Sequence, residues 1–262
     1  MVKVAARQGV TALLIAIGSG VIPVASAAPE SLGPIRACIA ELSVPPYLSG
    51  DPYHPGIMER LKLDAGKLVG LSTQLTRYPT RRCYSMAENG DADVVIAVPA
   101  PAVMGYLQFP MKAGNVDTNK RLATLRMVLV RRSETPFEWD GKKLVGAEPG
   151  NVLVGTRIGA RAAIDQLEAK GFKVDQTAVN ASVLLKKLAL KRVDLVLSLQ
   201  DELDVVLKEP GFQSLVVLPT PWSSIDFYAA TRKGLSPELQ ERVEAWWTAI
   251  SLLRQQPEYR PN

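Results

Sequence analysis

Residues 80–97 read TRRCYSMAENGDADVVIA, and residues 184–199 read LLKKLALKRVDLVLSL. Each is a short helical stretch, then a turn that carries an aspartate (Asp93, Asp194), then an apolar run of strand length. Both aspartates stand at the entry to a strand, where a short carboxylate closes a turn or caps a neighbouring backbone, so they read as structural residues and not as catalytic ones. A helix that returns to a buried strand is half of a βαβ unit. Its appearance twice, about a hundred residues apart, points to two α/β bodies.

The flanking sequence completes each body. Before the first stretch, IRACIAEL from Ile35 alternates as a strand, VPPYLSGDPYHPG is a loop by its prolines and glycines, and IMERLKLDAGKLVG has helical spacing that stops at Gly70. LSTQLTRYP alternates again. Around the second stretch, NVLVGT, FKVDQTAV and VDLVLSL read as strands, with helices over ARAAIDQLEAKG and ASVLLKKLAL. Strands alternating with helices imply parallel sheets joined by crossover helices.

Two longer strands, LATLRMVLVRR (122–132) and SIDFYAATRK (224–233), lie between the bodies in the chain and are read as crossings that form a hinge. A last helix begins at the Ser236-Pro237 cap and carries Trp246 and Trp247, expected in the core of the first lobe. The expected fold is therefore α/β with two lobes, each built on a parallel sheet, joined by a two-strand hinge. Lobe 1 takes residues 28–125 and 222–262, and lobe 2 takes 126–221.

Residues 1–27 have Lys3 and Arg7, then the apolar GVTALLIAIGSGVIPVA, then Ala25-Ser26-Ala27. That is the order of a secretory signal cleaved after Ala27, which implies a periplasmic protein. Gly18, Ser19, Gly20 and Pro23 interrupt the apolar stretch, unlike a membrane anchor. In an oxidising compartment the two cysteines, Cys38 and Cys83, are expected to pair.

The formal net charge of +5 falls by two when Lys3 and Arg7 leave with the signal, and no basic run interleaved with aromatics remains for nucleic acid. The single histidine, His54, lies in a proline-rich loop, and there is no H-E-x-x-H, metal-spaced cysteine pair or P-loop. No cofactor or metal is expected.

Taken together, YPTRRCYSMAENGDADVVIA (78–97), FEWDGKKL (137–144), VLVGTRIGARAAIDQLEAKGFKVD (152–175), LLKKLALKRVDLVL (184–197) and FYAATRK (227–233) resemble the family 3 extracellular solute-binding proteins, the periplasmic receptors of ABC importers for amino acids and related polar solutes. The resemblance implies a type II periplasmic-binding-protein fold that closes over a small solute and presents it, as a monomer, to a membrane permease.

Ligands of open parallel sheets sit at the carboxyl ends of the strands. Those loops hold Tyr47, then Tyr78, Arg81 and Arg82, then Val98 in the first lobe, and Thr156, Arg157 and Gly159, then Asn180, then Ser198 and Gln200 in the second. The segment GTRIGA opens a helix whose free N–H groups can meet an anion, or whose glycines merely permit the turn.

The chain also departs from the family. Amino-acid-binding members usually carry an arginine for the α-carboxylate after the third strand, where this chain reads AVPAPAVMGYLQFP, and a serine or threonine where it has Ala160. Arg81, Arg82 or Arg157 can supply the missing charge, and Tyr47, Tyr53 and Tyr78 can stack on a flat ligand. Two further classes stand beside the receptor: a periplasmic sensor or accessory protein that kept the fold, and a cyclic-acid dehydratase with Glu41 and Asp201 as its carboxylates.

Overall fold

The computed structural model describes residues 1–2 and 33–261. The signal reading of residues 1–27 lies outside the described residues apart from the first two. Gly33–Asn262 form one compact unit.

In the first lobe, β1 (Ile35–Ala40), α1 (Ile57–Leu68), β2 (Thr73–Tyr78), α2 (Thr80–Asn89) and β3 (Val94–Ala97) follow the expected order. β1 is central, parallel to β2 on one side and to β3 on the other. Gly90, at φ +83°, ends α2 in the left-handed region that favours glycine. After β3 come a single turn, α3 (Pro101–Met104), a two-residue strand at Leu107–Gln108 and a small hairpin, and then β4 (Ala123–Arg132).

The second lobe has β5 (Leu153–Arg157), α4 (Arg161–Ala169), β6 (Lys173–Ala178), α5 (Ala181–Ala189) and β7 (Leu195–Leu199), with β5 parallel to both β6 and β7. α6 (Gln200–Val206) and β8 (Leu215–Val217), which the sequence pattern does not announce, lead to β9 (Ser223–Arg232) and α7 (Pro237–Leu253).

The two long strands do more than cross. Ala123–Met127 of β4 pair antiparallel with Phe227–Ser223 of β9. Beyond that overlap β4 pairs with β7 and β8, while β9 pairs with β3. The result is one continuous mixed sheet, β6-β5-β7-β4-β9-β3-β1-β2, in which the parallel pairing expected within each lobe is joined by antiparallel hinge strands.

Burial follows the sequence pattern. Trp246 and Trp247 are on the buried face of α7, and their indole N–H groups donate to Lys62 O (2.9 Å) and Ala229 O (2.7 Å). Cys38 of β1 and Cys83 of α2 form a disulfide, Cα atoms 5.4 Å apart, which ties the helix to the sheet.

Asp194 accepts a hydrogen bond from Leu153 N (2.9 Å), a backbone tie of the kind expected. Asp93 does more than close a turn. Arg36 and Arg232 both donate to its carboxylate, linking β1, the entry to β3 and β9. Burial alone would raise its pKa, but these donors hold it below the ordinary carboxylate range.

The Ser236 hydroxyl accepts from Leu239 N at 3.3 Å, with Pro237 at the first helical position of α7. Ser236→Ala is therefore expected to lower unfolding free energy by about 1 kcal/mol. Equilibrium denaturation checks this, with Ser251→Ala, an interior position of the same helix, as the control that should stay near wild type.

Candidate functional site

The carboxyl ends of the parallel strands in both lobes face one cleft. Its deep part is a chamber of about 80 Å³ lined by residues of both lobes and of the hinge strands. Leu48, Ile96 and Val98 wall it from the first lobe, Leu199 and Ala160 from the second, and Met127, Ile225 and Phe227 from the hinge. The polar lining groups are Thr80, Tyr84, Thr156, Arg157, Arg161 and Ser198. Two wider openings, of about 710 and 620 Å³, flank the chamber.

The lobes touch across this cleft. Gly159, at φ +82°, lies so close to α2 that a Cβ built on it would stand 3.5 Å from Thr80 Cβ. Glycine is favoured here by the positive φ, and a Cβ would already be in van der Waals contact with the opposite lobe, leaving no room for a larger side chain. Gly159→Val adds strain and bulk at that contact, so it should hold the lobes apart and raise the radius of gyration measured by small-angle scattering. Gly90→Ala, with φ +83° but open space around it, should leave the radius unchanged.

Beneath the chamber floor lies a buried charge cluster. Arg157 Nε donates to Glu202 Oε2 at 2.9 Å, and the Ser198 hydroxyl donates to the same oxygen at 3.0 Å. All three are almost fully enclosed. The terminal guanidinium nitrogens of Arg157 make no hydrogen bond to any described residue, and the side chain borders both the chamber and one opening. α6 exists in the right place for this because Glu202 falls in its first turn, directly after β7.

Positive charge dominates the rim. Arg81 and Arg82 line the openings, and Arg161 is shared between the chamber and the second opening, against the acidic Glu41 and Glu88. Arg82 stacks on the Tyr78 ring at 3.8 Å. Burial, with Tyr106 beside it, pushes the Tyr84 hydroxyl well above its ordinary range, so it remains a donor at neutral pH.

Of the residues singled out from the sequence, Val98, Thr156, Arg157, Gly159 and Ser198 meet in the chamber. Arg82 and Asn180 stand at an opening, where Asn180 also caps α5 by accepting from Val183 N. Tyr47, Tyr78 and Gln200 border neither the chamber nor the two openings. Tyr47 packs half-buried against the hydrophobic core, and Gln200 begins α6. At the GTRIGA turn, the N–H groups of Ala160 and Arg161 are taken by the carbonyls of Arg157 and Gly159, leaving fewer free donors for an anion than an open helix start offers.

Glu41 lines an opening, and Asp201 lies in the first turn of α6, its pKa raised by burial. Neither borders the chamber. Sequence reasoning missed Tyr84, Arg161 and Glu202. Tyr84 could have been found, since it follows Thr80 by four residues on one helix face.

No protein-family model and no curated protein matches the chain. Among solved structures, a histidine kinase sensor domain with similarity to periplasmic binding proteins superposes with a TM-score of 0.65 at 15% identity, over 86% of this chain and 92% of that one. The chain has the periplasmic-binding-protein fold. The GluR0 ligand-binding core from Nostoc punctiforme in complex with L-glutamate gives 0.63 at 14% identity, covering 86% and 95%. The substrate-binding protein of an amino acid ABC transporter gives 0.62 at 16%, covering 87% and 96%. In this binding-protein fold the chamber described above lies between the two lobes, on the side to which the parallel strands point.

Proposed function

We propose that the chain is an exported receptor that captures a small solute in the interlobe chamber and presents it, as a monomer, to the membrane permease of an ABC importer. The observation that carries this reading is the chamber itself, walled by apolar side chains from both lobes with a few convergent donors, at the place where α/β sheets bind ligands. Val98, Thr156, Arg157, Gly159 and Ser198 would contact the solute, Arg82 and Asn180 would meet it on entry, and Tyr47, Tyr78 and Gln200 would form an outer ring. The lobes would divide as 28–125 with 222–262 and 126–221, which fits the change of strand partners near Met127 and Phe227.

A ligand shifts a hinge only by its differential affinity for the closed state. Gly159 against Thr80 supplies the lobe contact that such a state needs. The role is binding without turnover, with neither cofactor nor metal. Export makes a direct test: the protein recovered from the periplasm of expressing cells should have the intact mass of a chain beginning at Ala28, and retention in the cytoplasm at full length would refute it.

A second reading, the sensor input of a membrane receptor, draws on the sensor domains among the structural neighbours. It shares the chamber and differs in the partner. Co-purification with a kinase rather than a permease would favour it.

A further inference from the structure

The composition of the chamber restricts what can enter it, given the receptor reading on which this inference rests. No aspartate or glutamate lines it. Glu202, beneath the chamber floor, is already engaged by Arg157 and Ser198, and Glu41 and Glu88 line the outer openings and not the chamber. A ligand ammonium group brought into the closed chamber would therefore lose its water without gaining an anionic partner, which is costly in a buried setting.

Donors, in contrast, are in excess. The terminal nitrogens of Arg157 are unpartnered among the described residues, Arg161 makes no ion pair there, and Tyr84 lines the chamber as Arg161 does. Tyr84, Arg157 and Arg161 all line the same chamber. A wholly neutral apolar ligand would leave these donors without acceptors on closure. A second carboxylate would have to lie against the hydrocarbon wall, where no donor answers it.

Size gives the last restriction. One water occupies roughly 10–15 Å³ on the same scale, so a chamber of about 80 Å³ holds a body of only a few non-hydrogen atoms.

We propose that the chamber takes a short monocarboxylate without an α-ammonium group, its apolar body against Leu48, Ile96, Val98, Met127, Ile225 and Phe227 and its carboxylate on Arg157 and Arg161. The arginine-rich openings would draw such an anion in before the lobes close.

Matched pairs that differ only in the α-ammonium group test this by isothermal titration on the purified full chain. Butanoate is compared with 2-aminobutanoate, and 3-methylbutanoate with valine, acids small enough for the chamber, with the primary amides of both acids as neutral controls. At least one acid is expected to bind ten-fold or more tightly than both its amino-acid partner and its amide. Arg161→Met, an exposed substitution that should leave the circular dichroism unchanged, is expected to weaken that acid about ten-fold and to leave the amide unaffected.

Saturable binding in which the amino acid equals or exceeds its acid overturns the monocarboxylate assignment and leaves the receptor reading standing. Acid binding that Arg161→Met does not alter places the anion elsewhere and overturns the assignment too. Silence from every probe overturns it, and if other solutes also fail to bind, the receptor reading falls with it.

Discussion

Arg157→Met is expected to destabilise the protein by about 3–5 kcal/mol, because it strands the Glu202 carboxylate in a buried site. Glu202 is 4% exposed, and besides Arg157 its only partner among the described residues is the Ser198 hydroxyl. The loss reflects an uncompensated charge rather than the net worth of the pair, and this has a consequence that can be measured. Arg157→Met/Glu202→Leu removes both charges and should return to within about 1 kcal/mol of wild type, since apolar replacement of a buried ion pair is often neutral or stabilising. Stability restored in this way would be accompanied by loss of ligand affinity, because the chamber would lack its buried donor. Equal stability of Arg157→Met and wild type in chemical denaturation would show that the pair is not the buried cluster described.

The second large effect concerns a residue remote from the cleft. Lys62 lies on the inner face of α1, 1% exposed, and its ammonium nitrogen has no hydrogen-bond partner among the described residues. Burial lowers its pKa from the ordinary 10.5 to about 7, against the opposing pull of Glu59. Glu59 is fully buried and spoken for: its carboxylate accepts from Ser49 N and Gly56 N, and Arg77 Nη2 approaches it to 2.6 Å.

A base with a depressed pKa binds its proton more tightly in the unfolded chain. The resulting penalty is fully present below pH 7 and vanishes as pH rises toward 10.5. At 1.36 kcal/mol per pH unit it amounts to about 5 kcal/mol in the limit. Lys62→Met, similar in length and uncharged, should therefore stabilise the fold by roughly 2–4 kcal/mol at pH 7. It should also remove the rise in wild-type stability between pH 7 and pH 10, read from denaturation midpoints across that range. An unchanged pH slope in Lys62→Met would assign the slope to other groups.

Much of the fold was legible because its signals are local. Period-2 and period-3.6 patterns marked the strands and helices of both lobes, Gly70 and Ser236 marked helix ends, and the length of LATLRMVLVRR and SIDFYAATRK marked the hinge. The pairing of those two strands with each other was not legible, since antiparallel register depends on how the lobes meet. Val98, Thr156, Arg157, Gly159 and Ser198 meet in the chamber because strand order alone brings strand ends to the cleft.

What strand order does not place is the direction of a side chain or a pairing across the chain. Tyr47, Tyr78 and Gln200 sit in the right loops, yet the direction of each side chain is set by packing. Arg157 and Glu202 are 45 residues apart, and their pairing depends on α6, a seven-residue helix with no strong periodicity. Lys62 reads as one more charged residue on an amphipathic helix, and only the packing of α7 over α1 shows that it is enclosed.

The central claim is that the interlobe chamber is a ligand site that closes. The most direct measurement is a thermal melt of wild type and Gly159→Val, side by side, against amino acids, polyamines, alcohols, and small organic and aromatic acids. A solute at a hundred times its dissociation constant stabilises by about 2.7 kcal/mol, which in a chain of this size raises the midpoint by roughly 5–10 °C. The account predicts at least one such shift in wild type and its loss in Gly159→Val. A flat response across the panel, or a shift that Gly159→Val retains in full, would contradict it.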